Sequence, residues 1–139
     1  MATLQGAIAE LVAVIGAVNG VHHAPDEPGE QITSWPAAMT YATDGISRNE
    51  PPDTVKSLHS VQVVVIMPLN DMRQAVRAML PLYETIIDAL YTHRNGRTSV
   101  HYETFGEISY TLGPIDWPQG QVMYGYVFTI PAIKIRNTI

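Results

Sequence analysis

Five histidines, His22, His23, His59, His93 and His101, and 13 aspartates and glutamates are the side chains of this sequence best suited to moving a proton near neutrality. His22 and His23 invite a metal-site reading. Neighbouring residues of a strand point to opposite faces, however, so a half-exposed strand through the pair does not chelate one ion. His59, His93 and His101 are scattered singly, the pattern of surface or hydrogen-bonded histidines. Glu103 and Glu107 fall on neighbouring predicted strands and can approach each other. With no partner group beside them they read as a solvated edge. There is no cysteine, which excludes thiol nucleophiles, disulfides and thiolate metal sites. Gly-rich phosphate loops, His-Glu-x-x-His and Gly-x-Ser-x-Gly are also absent. Arg94 and Arg97 follow a long helical pattern, where they suit the negative end of the helix dipole without a phosphate site. The residues therefore predict no catalytic group, no metal and no cofactor. The one chemical alternative is a small ligand-binding or enzymatic α+β domain using a cleft beside His22 and His101.

The element that must organise the rest runs from Ser60 to Leu90. Val61-Gln62-Val63-Val64-Val65-Ile66-Met67 is rich in β-branched residues, which are stiff at χ1 and pack well on a pleated surface. It does not alternate beyond Gln62, as expected of a strand buried on both faces in mid-sheet. Pro68-Leu69-Asn70-Asp71 supplies a turn and a helix N-cap. From Met72, apolar residues at Val76, Met79, Leu80, Tyr83, Ile86, Ile87 and Leu90 repeat with a helical period. Pro81 interrupts the pattern and predicts a kink near Met79–Pro81, because it lacks an N–H and crowds the carbonyl of Arg77.

Around this unit, Thr3 caps a predicted helix Leu4–Val18 that ends at Asn19-Gly20. Its small residues Gly6, Ala7, Ala9, Ala13, Gly16 and Ala17 leave one side smooth enough for close packing. Residues 24–31 read as loop by their Pro, Gly and acid content. Trp35–Tyr41 reads as a short extended segment with Pro36 at its start or edge. Ala42–Thr54 reads as a long polar loop, and a loop of that length in a compact domain is expected to have a job. Within it Asp44, Gly45, Ile46, Arg48 and Glu50 are the candidate partner-contact residues. The last third predicts three antiparallel strands: Val100–Phe105, Ile108–Leu112 and Val122–Ile130. Gly113–Gly120 is expected as a loop, Pro131 as an interruption, and Ile133–Arg136 as renewed alternation.

A chain of 139 residues suits a single domain over 1–139, and 46% hydrophobic with 15% charged residues is the composition of a folded one. The net charge of −5 argues against nucleic acid as the main partner. The apolar stretch Leu4–Val18 has no Lys or Arg before it and is too short to span a bilayer, so no targeting segment and no membrane association are expected. The predicted class is α+β, a single mainly antiparallel sheet packed against two helices.

In this order of elements the sequence resembles the tail-terminator, or tail-completion, family of long-tailed bacteriophages. The resemblance rests on Leu4–Val18 with Val21-His22-His23, on Trp35–Tyr41 and the long polar loop after it, on Val61–Met67 and Met72–Leu90, and on Tyr124-Gly125-Tyr126-Val127-Phe128-Thr129-Ile130. It covers nearly the whole chain as pattern, without an invariant motif. It implies a virion protein of the phage neck, assembled in the host bacterial cytoplasm, that forms a homo-oligomeric and usually hexameric ring. Such a ring caps the major tail tube protein, ends tube polymerisation and joins the head connector, while DNA only passes through the lumen. Head-completion proteins share this size and setting and are the alternative within the same class. The family offers no catalytic residues to carry over.

Overall fold

The computed structural model describes residues 2–22, 24, 35–96, 99–117 and 120–138. Helix α1 (Leu4–Gly16) is followed by strands β1 (Ala37–Glu50) and β2 (Thr54–Pro68). Helical segments α2 (Met72–Met79) and α3 (Leu82–Asn95) lead to β3 (Ser109–Asp116) and β4 (Val122–Thr138). The four strands form one antiparallel sheet in the order β1-β2-β4-β3. The α+β class, with a sheet packed against two helices of which one is bent, is as the sequence predicts.

The valine run of β2 lies in the interior of the sheet because it feeds both surfaces. Val61, Val63 and Val65 join the main core under the helices. Val64 and Ile66 join a smaller cluster on the opposite face with Met39 and Met123. The helices seal the first face with residues four apart: Ala7, Leu11 and Ile15 on α1, Ala75 and Met79 on α2, Leu82, Ile86 and Leu90 on α3. Tyr126, Phe128 and Ile130 of β4 meet them from the sheet.

The helix caps follow the local sequence. Thr3 Oγ1 accepts the Gly6 amide at 2.9 Å, and an Asp71 carboxylate oxygen accepts the Arg73 amide at 2.9 Å. Between α2 and α3, Leu80 and Pro81 keep right-handed helical angles, so the chain bends rather than turns away. The bend frees the Met79 carbonyl, which accepts the buried Tyr126 hydroxyl at 3.0 Å. It also resets the buried face. Leu80 is exposed and Ile87 only half-buried, while Ala75 and Leu82 are in the core.

Four readings of the sequence are corrected. First, Ala42–Thr54 is not a loop: β1 continues to Glu50, Pro51-Pro52-Asp53 turn, and β2 starts at Thr54. Both surfaces of this hairpin are largely wet, so its strands carry no apolar alternation, and cross-strand backbone pairing alone specifies them. Secondly, residues 99–108 are irregular, with Tyr102 and Phe105 buried and Val100 exposed. They run beside the end of β4 through Glu103 N–H to Lys134 C=O, Lys134 N–H to Thr104 C=O and Gly106 N–H to Pro131 C=O. Thirdly, Gly113–Asp116 belongs to β3, an edge strand, where Pro114 costs no ladder bond on its outer side. The Val21-His22 segment is not a strand either, although the His22 amide donates to the Pro36 carbonyl at 2.9 Å. His23, Arg97 and residues 25–34 lie outside the described residues.

Candidate functional site

On β2, one level separates two halves of the sheet. Opposite Ser60, β1 carries an extra residue, Thr43, and β4 carries the pair Pro131-Ala132, with Ala132 at φ 55°. Bulges bend a strand and increase its twist, and they let a proline sit inside a paired strand. This accounts for Pro131: pairing is interrupted there and resumes at Ile133↔His59. Above the bulges the sheet is sandwiched between its helices and the smaller cluster. Below them the β1–β2 hairpin continues as an arm, and β1 is exposed from Ala42 through Asn49.

The register decides where the five candidate contact residues fall. Asp44↔Ser60, Ile46↔Leu58, Arg48↔Lys56 and Glu50↔Thr54 are cross-strand pairs two apart, so they share one face. The same pairing extends to β4 through Leu58↔Lys134 and Lys56↔Arg136. This face is the side of the sheet away from the helices, since the alternating neighbours Ile133 and Ile135 are in the helix-side core. Ile46, Arg48, Lys56 and Leu58 together line a shallow hollow of about 60 Å³. Gly45 is on the other face. A Cβ there would meet His59 Nδ1 at 2.6 Å and the Leu58 carbonyl at 2.8 Å, so this glycine lets the His59 ring lie across the hairpin. Four of the five candidates thus form one surface, and the fifth holds the arm together.

Of the chain's 8 lysines and arginines, Arg48, Lys56, Lys134 and Arg136 crowd onto this face. Glu103 from the neighbouring irregular segment engages Lys134 at 3.3 Å and Arg136 at 3.7 Å. Sequence reasoning found Arg48 but not its partners in the row. They come from strands far apart in the chain, and only the register lines them up. Ile46, 60% exposed, stands on the edge strand one rung from the Arg48–Lys56–Arg136 row.

A second cluster gathers groups the sequence left scattered. Glu10 of α1 faces His93 Nε2 of α3 at 3.9 Å and His101 Nε2 at 4.0 Å, ion-pair rather than hydrogen-bond range. Glu10 Oε2 is buried without a hydrogen-bond partner among the described residues. The Thr3 amide donates to His101 Nδ1 at 3.3 Å, which leaves the proton of a neutral His101 on Nε2, toward Glu10. His93 Nδ1 meets the Tyr102 hydroxyl at 2.5 Å. Burial, reinforced by the Glu10 charge and opposed by Arg94, pushes the Tyr102 phenol up to about 12, so it stays a neutral donor. Gly6 makes the room, because a Cβ there would overlap the His101 ring. The arrangement ties α1, α3 and the 99–106 segment together around one carboxylate.

Among the described residues, His22 and His101 do not share a cleft. The two flank opposite ends of α1, about 20 Å apart for thirteen residues of helix. Glu103, read from sequence as part of a solvated strand edge without a partner, lies instead in the irregular segment and is paired with Lys134 and Arg136. Arg94 caps nothing anionic: its guanidinium stacks on Tyr91 and Phe105, at 4.5 and 5.5 Å, and donates to the Phe105 carbonyl. No helix among the described residues is long and apolar enough to cross a membrane.

The chain matches no protein-family model and no curated protein.

Proposed function

We propose that this protein is a structural subunit of the neck of a long-tailed phage, a tail terminator whose copies close into a hexameric ring on the tail tube. The observation that carries the reading is the β1–β2 arm. A two-stranded hairpin is marginal by itself in water, yet here a long one runs on beyond the smaller cluster, with β4 supporting one side. Its outer face joins an exposed isoleucine to a row of cations, the mixture expected of a surface that docks on protein. The resemblance of the whole order of elements to the terminator family supplies the partner: the major tail tube protein below and the head connector above. The work of such a subunit is steric and cohesive, and it needs no catalytic group.

The test changes the outer face of the arm without touching the core. Ile46→Asp with Arg48→Glu and Lys56→Glu alters three side chains of that face and leaves every backbone pair, the turn and the bulges in place. The expected product is a folded chain by circular dichroism that no longer assembles in sedimentation. In a phage lacking the wild-type gene, electron microscopy should then show tails of uncontrolled length or tails not joined to heads. Normal tails joined to filled heads would overturn the reading.

A further inference from the structure

A groove runs between the C-terminal half of α1 and α3, on the opposite side of the sheet from the cationic face of the arm. It has a volume of about 700 Å³ and is lined by Val14, Ala17, Val18 and Ala89, with Asp88 and Thr92 among its polar residues. The small side chains Ala17 and Ala89 keep it open. Asp88 in the lining is exposed, and Glu84, exposed one turn earlier on α3, adds a second carboxylate beyond the lining. Resting on the ring reading above, we infer that this groove seats the β1–β2 arm of a second copy of the chain, with Ile46 entering the apolar floor and Arg48 and Lys56 meeting Asp88 and Glu84.

Three observations converge on that occupant. The first is chemical match. The arm carries one strongly exposed apolar side chain one rung from a facing pair of cations, and the groove is an apolar trough with the Asp88 carboxylate in its lining and Glu84 one helical turn away. Complementary charge of this kind fixes register and partner choice more than raw affinity. The second is that a chain cannot fill its own groove. Ile46 and Arg48 share the sheet face away from the helices, whereas the groove is built by the helices themselves. The sheet lies between them. The third is symmetry: donor and acceptor are different surfaces on opposite sides of one subunit. Repeating such a head-to-tail contact generates a ring when the rotation closes. Each copy gives one arm and receives one.

Charge exchange tests the contact on the full-length chain, at concentrations where the parent assembles, read by sedimentation velocity. Arg48→Glu alone and Asp88→Arg alone should each weaken association about tenfold or more, because each sets like charges against each other. Both positions are exposed, so the melting temperatures of the variants should stay near that of the parent. Mixing the two variants in equal amounts should restore assembly. The acidic arm of the first variant then finds the basic groove of the second, and the second variant's unchanged Arg48 finds the first variant's unchanged Asp88. The chain has no cysteine, so Ile46→Cys combined with Ala17→Cys adds a clean readout. Oxidation should give a covalent ladder of oligomers, not a cross-linked monomer. Single variants that assemble like the parent, or that weaken without rescue on mixing, would overturn the arm-in-groove contact and leave the ring reading standing. A parent chain that stays monomeric at every concentration, with no ladder, would remove the ring reading and this contact together.

Discussion

Gly6 shows how a single position can reverse the usual rule for helices. Replacing an interior helical glycine by alanine ordinarily stabilises by about 0.5–1 kcal/mol, because glycine loses more conformational freedom on folding. Here the added methyl would overlap the His101 ring and push it from Thr3 and Glu10. Gly6→Ala should therefore cost about 1–3 kcal/mol in chemical denaturation, as overpacking does. Adding His101→Ala should restore at least part of that loss. A stabilised single variant would mean the ring does not occupy this seat. Two buried phenols set the alkaline limit. Burial is the largest cause in both, and Tyr102 and Tyr126 are each raised from 10.0 to about 12. The folded chain then holds these protons more tightly than the unfolded chain. The contribution is complete below pH 10 and is lost as pH rises from 10 toward about 12. The midpoint of urea unfolding should fall across that window, and Tyr102→Phe should flatten the fall.

The bent helix and the double bulge are the two elements that depart from ideal geometry, and each does so where a proline sits. At Pro81 the bend keeps both α2 and α3 on the sheet while releasing a carbonyl that Tyr126 satisfies. The resulting register separates two neighbours that look equivalent in the sequence. Ile86 is fully buried under α3 and Ile87 is half-buried beside it. Ile86→Ala should cost about 2–5 kcal/mol, the range for deleting a buried aliphatic side chain, and Ile87→Ala distinctly less. Equal losses in denaturant would show that the face of α3 is turned differently. At Pro131 the bulges mark where the sheet leaves the smaller cluster on one face, while Ile133 and Ile135 of β4 stay in the helix-side core below that level. Backbone pairing continues below that level, so hydrogen exchange should find the amides of residues 54–59 protected even in an isolated subunit, since β2 is paired there on both sides. Exchange as fast as in an unstructured loop would contradict the paired arm.

For the molecule as a whole, the distribution of charge matters more than its sum. A net charge of −5 describes an acidic protein, yet half of its lysines and arginines are gathered on the uncovered face below the bulges. In the proposed ring, that asymmetry sets the cationic arm of one subunit against the acidic side of α3 in the next. Assembly of the proposed ring should therefore weaken as salt rises, since contacts between exposed charges lie within reach of screening at physiological ionic strength. Sedimentation at about 0.05 and 0.5 M salt would measure it, and association unchanged over that range would assign the contact to apolar burial alone.

Local sequence was enough for the features governed by near neighbours: the Thr3 and Asp71 caps, the helical periods, the bend at Pro81 and the valine strand in mid-sheet. Each depends on side chains a few residues apart, and β-branched or capping residues act there directly. The α+β class followed from the order of those elements. The arm was not legible as strand, because its residues 42–50 face water on both sides and leave no apolar alternation; pairing with β2 decides their conformation. Nor was the strand reading of Val100–Phe105 sustained, since Tyr102 and Phe105 are buried from an irregular segment that borrows its backbone partners from β4. The row Arg48, Lys56 and Arg136 exists only through register, and Glu10 meets His93 and His101 only because α1 packs beside α3. Spacing along the chain carries no record of such contacts. They arise when the sheet brings distant residues to one level, and that step belongs to tertiary structure.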